Sequence, residues 1–328
     1  MGKRGELFLI DHSKWPKICE LGMNAAISYL IMARGSGPDN MQTSWSANAI
    51  EQRTGMSRKR AGEAIKLMIS RNHLSALRGG TMPQYKIAHT TQPSWVYLPN
   101  SLIDGAADEV PPIERLRRRG SIEALRMLID AYQMQDLAND DGLDWRLIHS
   151  QWDRALITER GNWLIFGYSK AVAGTAKWHC PLRVQFRHQT NEANTAFWNA
   201  FQTLQECGLI ETIPHLVEGS TDNAELIFPL DSEGSDAETS LYEAATQAAQ
   251  SMLENDSGGF RYALDEYEIA IPVSNDFPNA TVVGVFRLRY RAHTSLTAAW
   301  WSKQTEWDRY AEQYRALFVD PEMQKMSA

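Results

Sequence analysis

Apolar positions in the first part of the chain recur at helical spacing in three successive segments. The first, residues 22–35, ends at Gly35 and has its apolar stripe at Ala25, Ala26, Tyr29, Leu30 and Ala33. The second lies in "SWSANAIEQRTG", and the third runs from Arg58 to about Asn72 with an apolar face of Ala61, Ala64, Ile65, Met68 and Ile69. Two short half-apolar runs around "RGGTMP" follow and predict a β-hairpin.

The turn between the second and third helices is the most specific part of this order. It contains Gly55, and Ser57 follows at the position of a helix N-cap. This short glycine turn, the Ser-capped basic helix and the hairpin resemble the winged helix-turn-helix DNA-binding proteins of prokaryotes and phages. The resemblance covers residues 8–88 and implies that the helix from Arg58 enters the major groove of DNA.

The middle of the chain repeats this layout with different residues. A helix capped by Ser121 is followed later by the amphipathic helix "NEANTAFWNAFQTLQE" and by the strands "LIETIPHLV" and "AELIFPL". We interpret this order as a second winged-helix-like domain. Tandem winged helices are loosely similar to plasmid and phage replication initiators. The second candidate recognition helix, however, carries Glu192 and Glu206 and no Lys or Arg, so phosphates would repel it and a packing or dimerisation role is favoured.

The last third begins with the acidic stretch "DSEGSDAETS", which is typical of a linker. An alanine-rich helix, the alternating strand "ATVVGVFRLRYRA" and an aromatic helix over residues 295–318 follow. The predicted fold class is therefore mainly α with small β-hairpin wings, an α+β chain of tandem winged-helix domains plus a small C-terminal α+β unit. The predicted domains are residues 1–110, 111–230 and 231–328.

Charge is distributed unevenly along the 328 residues. The net charge is −7, but residues 1–126 hold 18 basic and 11 acidic residues, a net of +7, whereas the remainder holds 15 and 29, a net of −14. This asymmetry favours an anionic partner that binds only the front of the chain. No apolar run approaches the ~18 residues of a membrane span, and the three cysteines form no paired motif, which indicates a cytoplasmic protein without a membrane partner.

The candidate DNA-binding residues belong to the third helix and its surroundings. Lys59, Glu63, Lys66 and Ser70 share the face opposite the apolar one. The flanking candidates are Arg53, Ser57, Arg58, Arg60, Arg71 and, beside the tip of the wing, Arg78. Arg and Lys donate to guanine edges and phosphates, and the N-terminal N–H groups of the helix favour a phosphate. The alternative is a solvated face on which Glu63 pairs with Lys59 and Lys66.

Two further arginine clusters leave alternatives open. "RLRRRG", with Arg115, Arg117, Arg118 and Arg119, either contacts flanking DNA or is a solvated helix start. The arginines of "RLRYR" form either an anion site or, with acidic segments nearby, intramolecular ion pairs, and the second is favoured.

Enzyme chemistry has little support in the sequence. The nucleotide-binding, lipase-type and metalloprotease motifs do not occur, and the spacing of His179, Cys180, Cys207 and His215 fits no paired zinc pattern. We predict no catalytic residue, no metal and no cofactor, and the sequence identifies no effector molecule. The hypothesis is a non-enzymatic, sequence-specific transcriptional regulator that binds double-stranded DNA as a homodimer. The alternatives are a replication initiator or, in another class, a winged-helix protein-interaction module.

Overall fold

A computed structural model describes residues 7–105, 110–135, 142–144, 148–170, 191–219, 225–254, 266–291 and 298–317. The chain divides into two compact units. The first unit comprises residues 1–135, 181–211 and 288–294, and the second comprises residues 136–180, 212–287 and 295–328. Both units are therefore discontinuous in sequence.

The first unit contains short strands and mostly short helices. Its strands are β1 (Leu7–Asp11), β2 (Gln42–Thr43), β3 (Leu74–Arg78), β4 (Gln84–Ile87) and β5 (Trp95–Pro99). Its helices are α1 (Trp15–Cys19), α2 (Met23–Arg34), α3 (Ala47–Thr54), α4 (Arg58–Ser70), α5 (Ser101–Asp104), α6 (Pro112–Arg119), α7 (Ile122–Met134) and α8 (Asn191–Glu206). β1 pairs with β5, and β2, β4 and β3 form a three-stranded antiparallel sheet in that order.

Helix α2 forms the centre of the first unit. Every residue from Ala25 to Ala33 is buried, because the helix carries no charge before Arg34 and is apolar or small on all sides. It packs against α1, α3, α4 and β1. The three helices and the hairpin predicted from the pattern are thus confirmed as α2, α3, α4 and β3–β4.

Helix α4 ends two residues before the predicted end, at Ser70. Asn72 adopts a left-handed conformation with φ of 59°, and the His73 N–H donates to the Met68 carbonyl at 2.9 Å. This is a Schellman ending, in which Asn takes the place of the more usual Gly. It turns the chain directly into β3.

The second unit is built on a six-stranded sheet. Its strands follow the order β10, β7, β6, β11, β8 and β9. Their bounds are β6 (His149–Arg160), β7 (Trp163–Lys170), β8 (Ile210–Val217), β9 (Leu226–Pro229), β10 (Ile269–Ser274) and β11 (Thr281–Leu288), with residues 210–211 and 288 assigned to the first unit. β10 pairs with β7, β7 with β6, β6 with β11 and β8 with β9, all antiparallel.

This sheet shows that the predicted fold class is wrong in its β part. The strands predicted as the second wing are β8 and β9, but they belong to the six-stranded sheet and not to an isolated hairpin. The predicted small C-terminal α+β unit is also wrong, because β10 and β11 lie in the same sheet. The long hairpin β6–β7 escaped prediction because β6 is half-exposed and poor in β-branched residues.

Two long helices, α9 (Asp236–Glu254) and α10 (Ala298–Ala316), pack against each other and against the sheet. Alanines on α9 allow close approach, and the shared core contains Ala244, Ala248, Trp307, Ala311 and Tyr314 together with sheet residues. The acidic stretch predicted as a linker contains the start of α9. Ser235 and Glu238 form a capping box there: the Ser235 N–H donates to the Glu238 carboxylate at 2.7 Å, and the Glu238 N–H donates to the Ser235 hydroxyl at 3.4 Å.

Candidate nucleic-acid interface

The turn between α3 and α4 requires glycine at position 55. Gly55 ends α3 with φ of 61°, a left-handed conformation that costs other residues about 1 kcal/mol or more. A Cβ atom there would also lie 3.0 Å from a carboxylate oxygen of Glu114. Arg117 closes the end of α3 by donating from Nε to the Thr54 carbonyl at 2.7 Å. The direction of α4 relative to α3 is therefore set by several contacts.

Helix α4 separates an apolar face from a charged one, as predicted. Ala61, Ala64, Ile65 and Met68 are buried, and Ile69 is partly buried. On the other side Lys59, Glu63, Lys66 and Ser70 are all exposed, as are Arg60 and Arg71. The structure therefore places the predicted site residues of this helix on its solvent side.

The N-terminus of α4 differs from the prediction. Ser57 occupies the N-cap position, but its hydroxyl accepts no capping hydrogen bond. Glu51 of α3 takes that role, because its carboxylate accepts from the Arg58 N–H at 3.2 Å. The Arg58 guanidinium donates to the same carboxylate at 3.2 Å and to the Asn48 side-chain oxygen at 2.6 Å. Arg58 thus joins α4 to α3, although its side chain remains 65% exposed.

Arg53 is also held by internal contacts. Its guanidinium lies over the Trp45 ring, 3.7 Å from the ring centroid, and forms an ion pair with Asp104 at 3.3 Å. Asp104 in turn pairs with Arg34 at 2.6 Å. This arrangement fixes α3 on the end of α2. Of the predicted site residues, Arg53 and Arg58 are therefore committed to internal contacts.

The remaining predicted cations have no such commitment. Among the described residues, none forms an ion pair or hydrogen bond with the side chain of Lys59, Arg60, Lys66, Arg71 or Arg78. Within the same part of the structure, Glu63 pairs with neither lysine of its own helix, so the ion pairs expected of a solvated face are not formed. Ser70 donates only to the Leu67 carbonyl, at 2.8 Å.

The run "RLRRRG" contrasts with these cations, because each of its arginines has an internal partner. Arg118 pairs with Glu114 at 2.6 Å and Arg119 with Glu206 at 3.2 Å. Arg115 donates to the Tyr290 hydroxyl, and Arg117 caps α3. The run also lies in the last turns of α6 and not at a helix start, so the predicted conflict with the helix dipole does not arise.

One cation of the hairpin, Lys86, is not among the predicted site residues, and the hairpin contains no acidic residue. No Asp or Glu occurs between Glu63 and Asp104, although Lys66, Arg71, Arg78 and Lys86 do. Lys86 is exposed on β4. The signal was in the sequence, as a long segment with cations and no carboxylate, and it extends the positive surface from α4 through the hairpin.

The second candidate recognition helix, α8, packs inside the first unit. Its residues Phe197, Phe201 and Leu204 are buried, and the helix lies against α7. Glu206 at its end is the partner of Arg119. A packing role therefore explains its apolar surface.

The described residues show neither a metal centre nor a membrane-spanning helix. They contain no group of three or more His, Cys, Asp or Glu side chains placed to hold a metal ion, and His179 and Cys180 lie outside them. Within the same ranges, no helix has both the length and the apolar character that crossing a bilayer would require. Arg287 of "RLRYR" is buried against two carboxylates and is not an anion site.

Comparison with known proteins adds no family. The chain matches no protein-family model, no curated protein and no solved structure.

Proposed function

We propose that the chain is a non-enzymatic, cytoplasmic DNA-binding protein whose first unit contains a winged helix-turn-helix domain within residues 1–110. In this proposal α4 enters the major groove of double-stranded DNA, and the β3–β4 hairpin is the wing. The role favoured by the sequence, a sequence-specific transcriptional regulator acting as a homodimer, is part of the same proposal.

One contrast supports the proposal. Seven arginines of the first unit are bound to carboxylates, a carbonyl, an amide or a hydroxyl: Arg34, Arg53, Arg58, Arg115, Arg117, Arg118 and Arg119. The other cations of α4 and the hairpin are exposed, and among the described residues none forms an ion pair or hydrogen bond with their side chains: Lys59, Arg60, Lys66, Arg71, Arg78 and Lys86. Unpaired cations also occur singly elsewhere among the described residues of this unit, for example Lys17 and Arg126, so the contrast lies in how many of them α4 and the hairpin bring together. A surface of unneutralised Lys and Arg on a helix that follows a tight turn is the electrostatic arrangement that phosphates require.

The proposal is tested by the salt dependence of DNA binding. We expect the full chain to bind random duplex DNA with an affinity that falls steeply as salt rises. The double variant Lys59→Glu/Lys66→Glu should lower the slope of log affinity against log salt by about two, because each lost phosphate contact contributes about 0.9.

The matched control is Lys303→Glu/Arg309→Glu on α10 of the second unit, which changes the net charge by the same amount. It should leave the slope close to that of the wild type, and circular dichroism should show both variants folded. Equal effects of the two variants would mean that only net charge matters and would refute a role for α4.

The finer role is tested by sequencing the genomic fragments that the protein retains. One palindrome near promoters, together with dimeric mass on DNA in sedimentation, would support the regulator. Iterated repeats near an origin would support an initiator instead. Failure to retain DNA at low salt would favour the protein-interaction alternative.

A further inference from the structure

The tip of the β3–β4 hairpin has an unusual surface for a segment that contacts only phosphates. Every residue from Ser75 to Met82 is exposed. Met82 has 72% of its surface exposed, the largest value among the large hydrophobic residues that the structure describes, and Leu77 has 50%. Other large hydrophobic residues are exposed singly, but this hairpin exposes two of them next to cations, which makes its tip a candidate contact surface.

The backbone presents these two side chains in a defined way. The register of β3 against β4 shifts between Ala76 and Arg78, so Leu77 lies at a bulge and has no cross-strand partner. Gly80 has φ of 87°, which allows the chain to turn back at the tip. Met82 precedes Pro83, and a residue before proline is restricted to extended conformations. Pro83 therefore restricts the backbone of Met82, whereas Gly79 and Gly80 leave the tip able to adapt to a partner surface.

Charge identifies the partner. Arg78 adjoins the bulge, Lys86 is exposed on the return strand, and the whole segment from Ala64 to Ile103 contains no carboxylate. An apolar tip flanked only by cations complements an anionic surface that also has an apolar interior. Double-stranded DNA fits this description, because its backbone is anionic and its stacked bases are apolar.

We infer that Met82, supported by Leu77, is an apolar wedge that the wing inserts between base pairs from the minor groove and that bends the DNA. The inference rests on the proposed function, since it concerns DNA held by α4. Side chains of this type partially unstack a base step and bend the duplex by roughly 20–90° toward the major groove. Pyrimidine–purine steps unstack at the lowest cost and are the expected sites.

The test measures the bend of a bound duplex by energy transfer between dyes at its two ends. The duplex is the fragment most strongly retained by the full chain, or a random sequence where no fragment is enriched. We expect the wild type to shorten the end-to-end distance by an amount equivalent to roughly 20° or more. Met82→Ala should abolish most of this bend and weaken binding roughly tenfold, because a buried methionine side chain is lost from the interface.

Three controls separate the wedge from other effects. Met82→Leu should keep the bend, because it keeps a large apolar side chain. Thr81→Ala, in the same loop, should leave the bend unchanged. The salt slope of Met82→Ala should equal that of the wild type, because no charge is removed.

Several outcomes would overturn the wedge. A straight duplex bound by the wild type, or a full bend with Met82→Ala, would refute it while leaving DNA binding by α4 intact. A loss of self-association in Met82→Ala without any change in the bend would assign the tip to a protein contact instead. If Lys59→Glu/Lys66→Glu leaves DNA binding unchanged, the proposed function fails at α4, and the bend then reports on the wing alone.

Discussion

Replacing Arg287 by methionine is expected to destabilise the second unit more than any surface change. The Arg287 side chain is 2% exposed and donates to Glu238 at 2.8 Å and to Asp231 at 2.7 Å. The side chains of these carboxylates are only 1% and 10% exposed. The three residues, which we call the buried triad, join β11 to the start of α9. Methionine fills a similar volume but leaves two buried carboxylates without their cation.

The magnitude follows from the burial of the triad. Removing one partner of a buried ion pair costs about 3–5 kcal/mol, because the remaining charge is desolvated and unpaired. Arg287 neutralises two carboxylates, so the upper part of this range applies. Arg289, two residues further along the chain, is exposed, and Arg289→Met should cost about 0.5 kcal/mol or less. The same chemical change at the two positions therefore separates the effect of burial from the effect of losing an arginine.

The pH dependence supplies a second readout with a definite sign. Burial raises the pKa of Glu238, but the charge of Arg287 and the hydrogen bonds from Ser235 and Arg287 together lower it by more. The pKa therefore lies below its ordinary value of 4.5. A depressed carboxylate pKa stabilises the fold above the unfolded value, and this stability is lost as the pH falls through the folded value. In Arg287→Met only burial and the Ser235 bonds remain, and we expect the pKa to rise. Lowering the pH then neutralises the buried carboxylate of the variant and reduces its loss of stability, whereas it lowers the stability of the wild type.

The assay is urea unfolding of the full chain, followed by tryptophan fluorescence near pH 7 and near pH 4. We expect the stability difference between wild type and Arg287→Met to shrink at the lower pH. The triple variant Arg287→Met/Asp231→Asn/Glu238→Gln should recover most of the loss, because no charge remains buried and Gln keeps the capping box. A loss below about 1 kcal/mol at neutral pH, or one that grows in acid, would refute this account of the triad.

Two further predictions concern the first unit. Ser121→Ala should lower its free energy of unfolding by about 1 kcal/mol in urea melts, because the Ser121 hydroxyl accepts from the Ala124 N–H at 3.1 Å. Ser57→Ala should lower it by only about a few tenths of a kcal/mol, because the Ser57 hydroxyl forms no capping hydrogen bond. Equal losses for the two variants would contradict the assigned caps. Gly62→Ala should raise stability by about 0.5–1 kcal/mol, because a Cβ there meets no neighbouring atom within 4 Å in the described structure. A simultaneous loss of DNA affinity in gel-shift titrations would show that the DNA backbone approaches Gly62, and an unchanged affinity would exclude that approach.

The helices α2, α3 and α4 of the first unit could be predicted because the spacing of apolar residues within each segment already shows which face is buried. Ala61, Ala64, Ile65 and Met68 lie on the buried face of α4 that their spacing predicts. The six-stranded sheet could not be predicted in the same way, because its strands come from segments far apart in sequence. One local signal was available: Gly161 and Asn162 form a two-residue hairpin loop between Arg160 and Trp163, with Gly161 at φ of 57°.

The sequence predicts which residues occupy the N-cap positions, but it does not predict which of them form the capping hydrogen bond. Ser46, Ser57 and Ser121 all occupy N-cap positions, yet only Ser121 of the three accepts the capping hydrogen bond. At α4 the carboxylate of Glu51 competes successfully, since it lies on the preceding helix and accepts from the first N–H. Such competition depends on the angle between two helices, which a single segment of sequence does not specify.

The intramolecular contacts of the candidate DNA-binding residues also change where the positive charge of the site lies. From Arg53 to Arg78 the sequence has seven basic residues and one acidic residue, and a count of charges gives each basic residue the same weight. In the structure Arg53 pairs with Asp104 and Arg58 pairs with Glu51, and the carboxylate of Glu51 adds a negative charge at the N-terminus of α4. A phosphate approaching that end meets a helix dipole that is already partly neutralised. The strongest attraction therefore shifts away from the first turn, toward Lys66, Arg71 and the wing, where no carboxylate follows Glu63 until Asp104.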